Sequence, residues 1–198
     1  MAALRVRPPR GGLGGTVVVP GDKSMAHRAL LLGALAEGTT TVTGFPGGAD
    51  VLSTLGVVRA LGADGTRHGE EVRVVGRGAA LGADGRVHLD CGNSGTTMRL
   101  TAGLVAGGGA TAVLDGDASL RRRPMERVAV PLRIMGAVVR TTDGHAPLTV
   151  EGRPLAGVEW TLPVASAQLK SAVLLAALRA RGVPRVHEPL ASRDHTER

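Results

Sequence analysis

The sequence predicts an α/β fold, a lobe assembled from repeated strand, helix, strand, helix, strand, strand units. Three observations predict it. A serine-led apolar segment recurs three times, from Ser24 to Gly38, Ser94 to Gly107 and Ser166 to Gly182, a period of about 70 residues. Each is followed by a short β-prone stretch, at 39–43, 110–114 and 183–187. The stretch V-L-S-T-L-G-V-V-R-A-L-G-A at 51–63 also resembles M-E-R-V-A-V-P-L-R-I-M-G-A at 125–137 in length and ending.

Each element follows in order. Ser24, Ser94 and Ser166 can each cap a helix, because a hydroxyl accepts from the free N–H groups of the first turn. Gly38, Gly107 and Gly182 suit the stops. Residues 51–63 and 125–137 have apolar spacing for amphipathic helices, with Pro131 a kink point in the second. Short strands follow at Val72–Val75, at Val138–Thr141 and at Leu148–Val150. The units run from about 13 to 80, 81 to 155 and 156 to 198. The third reaches Asp194–Arg198, where its second helix should begin, and the repeat arithmetic expects about forty residues more. The sequence thus reads as most of one lobe, its third unit truncated and its open end prone to fray.

Composition narrows the function. With 43% hydrophobic and 21% charged residues, the chain is not a disordered one. No apolar run approaches the roughly 18 residues of a membrane span. The first twelve residues lack an apolar signal core, and a lone Cys91 makes no internal disulfide, so a cytoplasmic location is expected. The core must be aliphatic, since Phe45 and Trp160 are the only aromatic side chains. The net charge of +7 invites nucleic acid. Without aromatic stacking platforms or a long basic run, small anions fit it better.

The informative positions cluster at the three serine-led helix starts. A helix N-terminus offers unpaired N–H groups and partial positive charge, favouring an anion by roughly 0.3–1 kcal/mol when exposed. Beside the three starts stand Lys23, Ser24 and Arg28; Asn93, Gly95, Thr96 and Arg99; and Ser166, Gln168 and Lys170. The only two lysines of an arginine-rich chain, Lys23 and Lys170, are both in this set, which suggests a need for a compact ammonium. Taken singly, the serines could be plain caps, the basic residues solvated surface, and His27 and Cys91 structural. No metal-ligand spacing, phosphate loop or nucleophile elbow occurs, so neither metal nor cofactor is expected.

The segments are more specific together. P-G-D-K-S-M-A-H-R-A-L at 20–30, D-C-G-N-S-G-T-T-M-R-L at 90–100, L-D-G-D-A-S-L-R-R-R-P-M at 114–125, A-S-A-Q-L-K-S-A at 165–172 and S-R-D-H-T-E-R at 192–198 occur in this order. Together they closely resemble the N-terminal half of the 3-phosphoshikimate 1-carboxyvinyltransferase (EPSP synthase) family, from about Gly12 to Arg198. The resemblance implies an enolpyruvyl transferase-like lobe of βαβαββ units, facing a second, C-terminal lobe that this chain does not contain. It implies transfer of the enolpyruvyl group of phosphoenolpyruvate to the 5-hydroxyl of shikimate 3-phosphate, releasing phosphate, in chorismate and aromatic amino acid biosynthesis.

By motif match, Lys23 contacts both substrates and is the catalytic candidate. Ser24, Arg28, Ser166, Ala167, Gln168 and Arg193 fall to shikimate 3-phosphate. Gly95, Arg123 and Gln168 fall to phosphoenolpyruvate, with Asn93, Thr96, Arg99 and Lys170 in support. The family's proton acceptor lies in the second lobe, so this chain alone is expected to be inactive, a complementing lobe or a non-catalytic half. The sister family acting on UDP-N-acetylglucosamine is disfavoured by D-K-S-M-A-H-R and by the lack of a cysteine between 117 and 125.

Overall fold

The first helix begins on a carboxylate. In the computed structural model, which describes residues 4, 5, 7, 10–12, 14–82 and 85–198, Asp22 accepts from the Met25 N–H and caps α1 (Lys23–Leu35). Ser24, the expected cap, lies inside the first turn. The expected start of the first unit, residue 13, lies outside the described residues. Helix α1 stops at Leu35, short of Gly38, because Glu37 and Gly38 already belong to β1 (Glu37–Val42) and pair with Arg77 and Gly76. Sheet hydrogen bonding overrides the helical pattern there.

The first unit continues through α2 (Ala49–Ala60), β2 (Asp64–His68) and β3 (Glu71–Arg77). The second runs β4 (Arg86–Asp90), α3 (Gly95–Ala106), β5 (Thr111–Asp115), a short α4 (Ala118–Arg121), α5 (Glu126–Met135), β6 (Val138–Thr142) and β7 (His145–Glu151). The rest comprises β8 (Leu155–Ala156), β9 (Glu159–Thr161), α6 (Ala167–Ala177), β10 (Ala180–Arg181) and β11 (Arg185–His187), followed by a turn at 195–197. Helix α6 ends five residues before Gly182, because Ala180 and Arg181 pair in parallel with Leu155 and Ala156.

Part of the expected unit recurs in hydrogen-bond detail, whereas residues 14–22 form no strand ahead of α1, so the first unit lacks the leading strand that β4 supplies to the second. The first sheet orders β1-β3-β2, all antiparallel; the second orders β4-β5-β7-β6, with β5-β7-β6 repeating that arrangement and β4 parallel to β5. The L-G-A and M-G-A endings close α2 and α5 in the same way. Gly62 and Gly136 take φ of +96° and +114°, where only glycine is unstrained. Their N–H groups return to Arg59 and Arg133, and those of Ala63 and Ala137 return to Val58 and Leu132. Pro131 is carried inside α5 and does not end it.

Sheets form the outside and helices the centre. Strands β3, β5 and β7 alternate inward Val72, Val74, Ala112, Leu114, Ala146, Leu148 and Val150 with less buried neighbours. Helices α1, α3 and α6 are the central rods. The closest approach is between α3 and α6, where a Cβ on Gly103 would collide with the Ala172 carbonyl. The core is aliphatic as expected, with Phe45 buried in it and Trp160 packed against it half-buried.

Candidate functional site

The N-termini of the three central helices share one end of the lobe, cross-tied by polar side chains. Gln168, in the first turn of α6, donates to the Thr96 hydroxyl (2.8 Å) and accepts from Arg99 (2.8 Å), joining α6 to the start of α3. Arg28 donates to the Ser171 hydroxyl (2.6 Å), joining α1 to α6. Lys23 pairs with Asp50 at the start of α2 (2.8 Å). Below these, a buried relay runs from the Ser94 cap through Thr97 and Thr54 to His27 Nδ1, each step 2.6–2.7 Å. The N–H groups of three helices therefore meet over one polar floor.

Gly95 is the tightest point. A Cβ there would lie 2.7 Å from Arg99 and 3.2 Å from Arg123. The bare backbone thus sits against two guanidinium groups at a helix N-terminus, a strongly cationic spot. Arg123 is anchored by the Asn93 side-chain oxygen, while Asn93 donates to Asp117 (2.7 Å). Burial, with Arg123 and Arg127 nearby, holds the Arg99 pKa below its ordinary value.

Ser166 caps α6 through the Leu169 N–H, and with Ala167, Gln168, Ser192 and Arg193 it lines an open cavity of about 630 Å³. A smaller cavity of about 240 Å³ is bounded by Arg99, Arg127, Ser166 and Gln168. Arg127 was not foreseen in the sequence. Only its place in the first turn of α5, which packs on α6, brings it here. Asp50 carries no local signal either, since its pairing with Lys23 spans 27 residues.

Two of the sequence-derived residues are differently engaged. The Lys170 ammonium, 5% exposed, is held by Glu188 and Glu197, each at 2.5 Å. Burial opposes its charge, but the two carboxylates outweigh it and raise its pKa. Its compact ammonium serves an internal ion triad. Arg28 is also buried, its donors taken by the Ser24 carbonyl, Ser171 and Thr196.

The bordering carboxylates are poor bases. The Met25 N–H bond chiefly holds Asp22 below the usual range, and the Leu120 N–H does the same for Asp117. Cys91 is buried, which pushes its thiol up to about 12, with Asp90 and Asp115 adding to the shift. A thiol held protonated there is no nucleophile. Among the described residues no His, Cys, Asp or Glu cluster could hold a metal, and no helix is long and apolar enough to cross a membrane.

Central helices inside outer sheets, with their N-termini gathered at a cationic end, make this an enolpyruvyl transferase-like fold. Solved structures agree. The lobe superposes on EPSP synthase from Acinetobacter baumannii with a TM-score of 0.86 and 46% identity, over 92% of this chain and 42% of that one. The family model for EPSP synthase (3-phosphoshikimate 1-carboxyvinyltransferase) matches residues 8–198. The chain is 51% identical to the 3-phosphoshikimate 1-carboxyvinyltransferase of Bacillus thuringiensis subsp. konkukian and 50% identical to that of Bacillus anthracis. These alignments cover all of this chain and 47% of each relative, so the chain spans about half the length of the curated relatives it matches. It belongs to the EPSP synthase family.

Proposed function

We propose that this chain supplies one wall of a 3-phosphoshikimate 1-carboxyvinyltransferase site, where shikimate 3-phosphate and phosphoenolpyruvate lie side by side. The observation that carries this reading is the set of three helix N-termini ringed by Lys23, Arg99, Arg123, Arg127 and Arg193. Two multiply charged anions repel strongly at contact distance, and only several fixed cations make their joint binding favourable.

Arg123 and the Gly95 N–H are assigned to phosphoenolpyruvate, with Gln168 between the two ligands and Asn93, Thr96 and Arg99 holding the surrounding geometry. Ser166, Ala167, Gln168 and Arg193, which line one cavity, are assigned to shikimate 3-phosphate with Ser24. Arg28 is assigned to the same ligand through the floor it builds with Ser171. Lys23, exposed and paired with Asp50, is assigned to both.

In the reaction the 5-hydroxyl oxygen bonds to C2 of phosphoenolpyruvate while C3 gains a proton. The tetrahedral adduct then loses a proton from its C3 methyl group while the C2–O bond to phosphate breaks, which restores the C2–C3 double bond as an enol ether and releases inorganic phosphate. This wall binds, aligns and neutralises, which accounts for much of the rate in a two-substrate reaction. Removing the hydroxyl proton calls for a base of higher pKa than Asp22 or Asp117 offers. We assign that base to a C-terminal lobe, and the assembled enzyme to the cytoplasm.

Calorimetry with the 198-residue chain tests the reading. Saturable binding of shikimate 3-phosphate, lost in Arg193→Ala and without phosphate release from added phosphoenolpyruvate, is the expected result. Preferential binding of UDP-N-acetylglucosamine would overturn the substrate assignment. Steady turnover by this chain alone would overturn the half-site.

A further inference from the structure

The segment from Glu188 to Arg198 has no helix or strand, only a turn at 195–197, and side-chain contacts hold it to α6. It carries three carboxylates, Glu188, Asp194 and Glu197, all within five residues of Arg193. Each is already engaged elsewhere. Glu188 and Glu197 both close on the Lys170 ammonium at 2.5 Å, and Asp194 takes Arg198 at 2.8 Å. Arg193 itself pairs with no carboxylate among the described residues, and it lines the open cavity with Ser166, Ala167, Gln168 and Ser192.

We infer that Lys170 is a positioning residue for the anion site: by holding Glu188 and Glu197 it keeps the Arg193 guanidinium free for the phosphate group of shikimate 3-phosphate. The inference rests on the substrate reading proposed above. Both carboxylates are near enough to compete. Glu188 already reaches the residue beside Arg193, because its second oxygen accepts from the Ser192 hydroxyl. Glu197 stands four residues beyond Arg193, the same spacing at which Asp194 and Arg198 meet. A guanidinium takes a carboxylate and a phosphate with the same bidentate fork, so a released carboxylate and the ligand would contend for one group. The lysine suits this task. Its ammonium is buried, out of reach of an arriving anion, and three rotatable donors let one compact group serve both carboxylates. Thr196, bonded to Arg28 (2.6 Å) and Ser171 (2.6 Å), fixes the segment separately, so the segment stays docked when Lys170 is neutralised.

The test is calorimetry of shikimate 3-phosphate with the 198-residue chain and its variants. Lys170→Met releases two carboxylates and should weaken binding about tenfold, the worth of one charge-assisted contact. Adding Glu188→Gln and Glu197→Gln to that variant should return most of the affinity, because nothing is left to compete for Arg193. A lysine that only braced the segment would not be rescued by removing its partners as well. Should Lys170→Met fail to fold by circular dichroism, Lys170→Met with Glu188→Gln takes its place, since it frees only the half-exposed Glu197. Wild-type affinity in the variant that carries a released carboxylate overturns the inference, as does undiminished weakness in the triple variant. Absence of binding by the wild type would instead overturn the substrate reading, and the inference with it.

Discussion

Lowering the pH through the histidine range should destabilise this lobe through one residue, His27. Its ring is fully buried, Nδ1 is bonded to Thr54, and Nε2 meets no polar partner among the described residues. Burial, reinforced by Lys23 and Arg28 and only partly opposed by Asp50, lowers its pKa from 6.5 to about 4. The unfolded chain therefore binds a proton near pH 6.5 that the folded chain refuses until about pH 4. Stability falls as pH drops through that window and levels off below it. At 1.36 kcal/mol per unit, the full difference is about 3 kcal/mol. For a chain of this size that corresponds to roughly 6–12 °C in melting temperature.

The assay is thermal denaturation followed by circular dichroism from pH 7 down to 4.5, with His27→Gln as reference. Glutamine can still bond Thr54 but cannot take up the proton. Stopping at 4.5 avoids the window in which carboxylates such as Asp117 and Glu188, held low by hydrogen bonds, lose their stabilising contribution in both proteins. The wild type should lose several degrees more than the variant. Parallel curves would refute the reasoning, because they would mean that the His27 ring reaches water or a proton acceptor when folded.

Three further outcomes are expected. Gly95→Ala should displace the Arg99 and Arg123 guanidinium groups from the start of α3, weakening phosphoenolpyruvate binding about tenfold in the reassembled enzyme while the melting temperature stays within a few degrees. Gly103→Ala should do the reverse, forcing α3 from the Ala172 carbonyl and costing about 1–3 kcal/mol in urea denaturation. In an enzyme that joins this chain to the remaining half of the Bacillus thuringiensis relative, the proposed function expects Arg123→Ala to raise the KM for phosphoenolpyruvate and Ser166→Ala that for shikimate 3-phosphate; equal effects on both ligands in either variant would contradict the separation of roles.

Much of the fold was legible because its signals are local. The Ser94 and Ser166 caps and the paired L-G-A and M-G-A endings depend on residues close together along the chain, and all of them are present in the fold. Where local signals competed, the sequence misled. Ser24 looked like a cap, but Asp22 offered a stronger acceptor two residues earlier. The apolar patterns up to Gly38 and Gly182 ran past the true helix ends, because pairing of β1 with β3 and β10 with β8 is invisible along the chain.

The site divides in the same way. The sequence by itself determined which residue types gather at three repeated helix starts, since caps, the bare Gly95 and the basic residues one turn on are matters of spacing. Only the tertiary structure decided how those residues are used. It set Arg99 and Arg123 against Gly95, added Asp50 and Arg127, and gave Lys170 to Glu188 and Glu197. Whether a charge faces a ligand or a carboxylate depends on contacts between residues 18 positions apart, as in Lys170 and Glu188, or as many as 168, as in Arg28 and Thr196, and no local pattern encodes such distances.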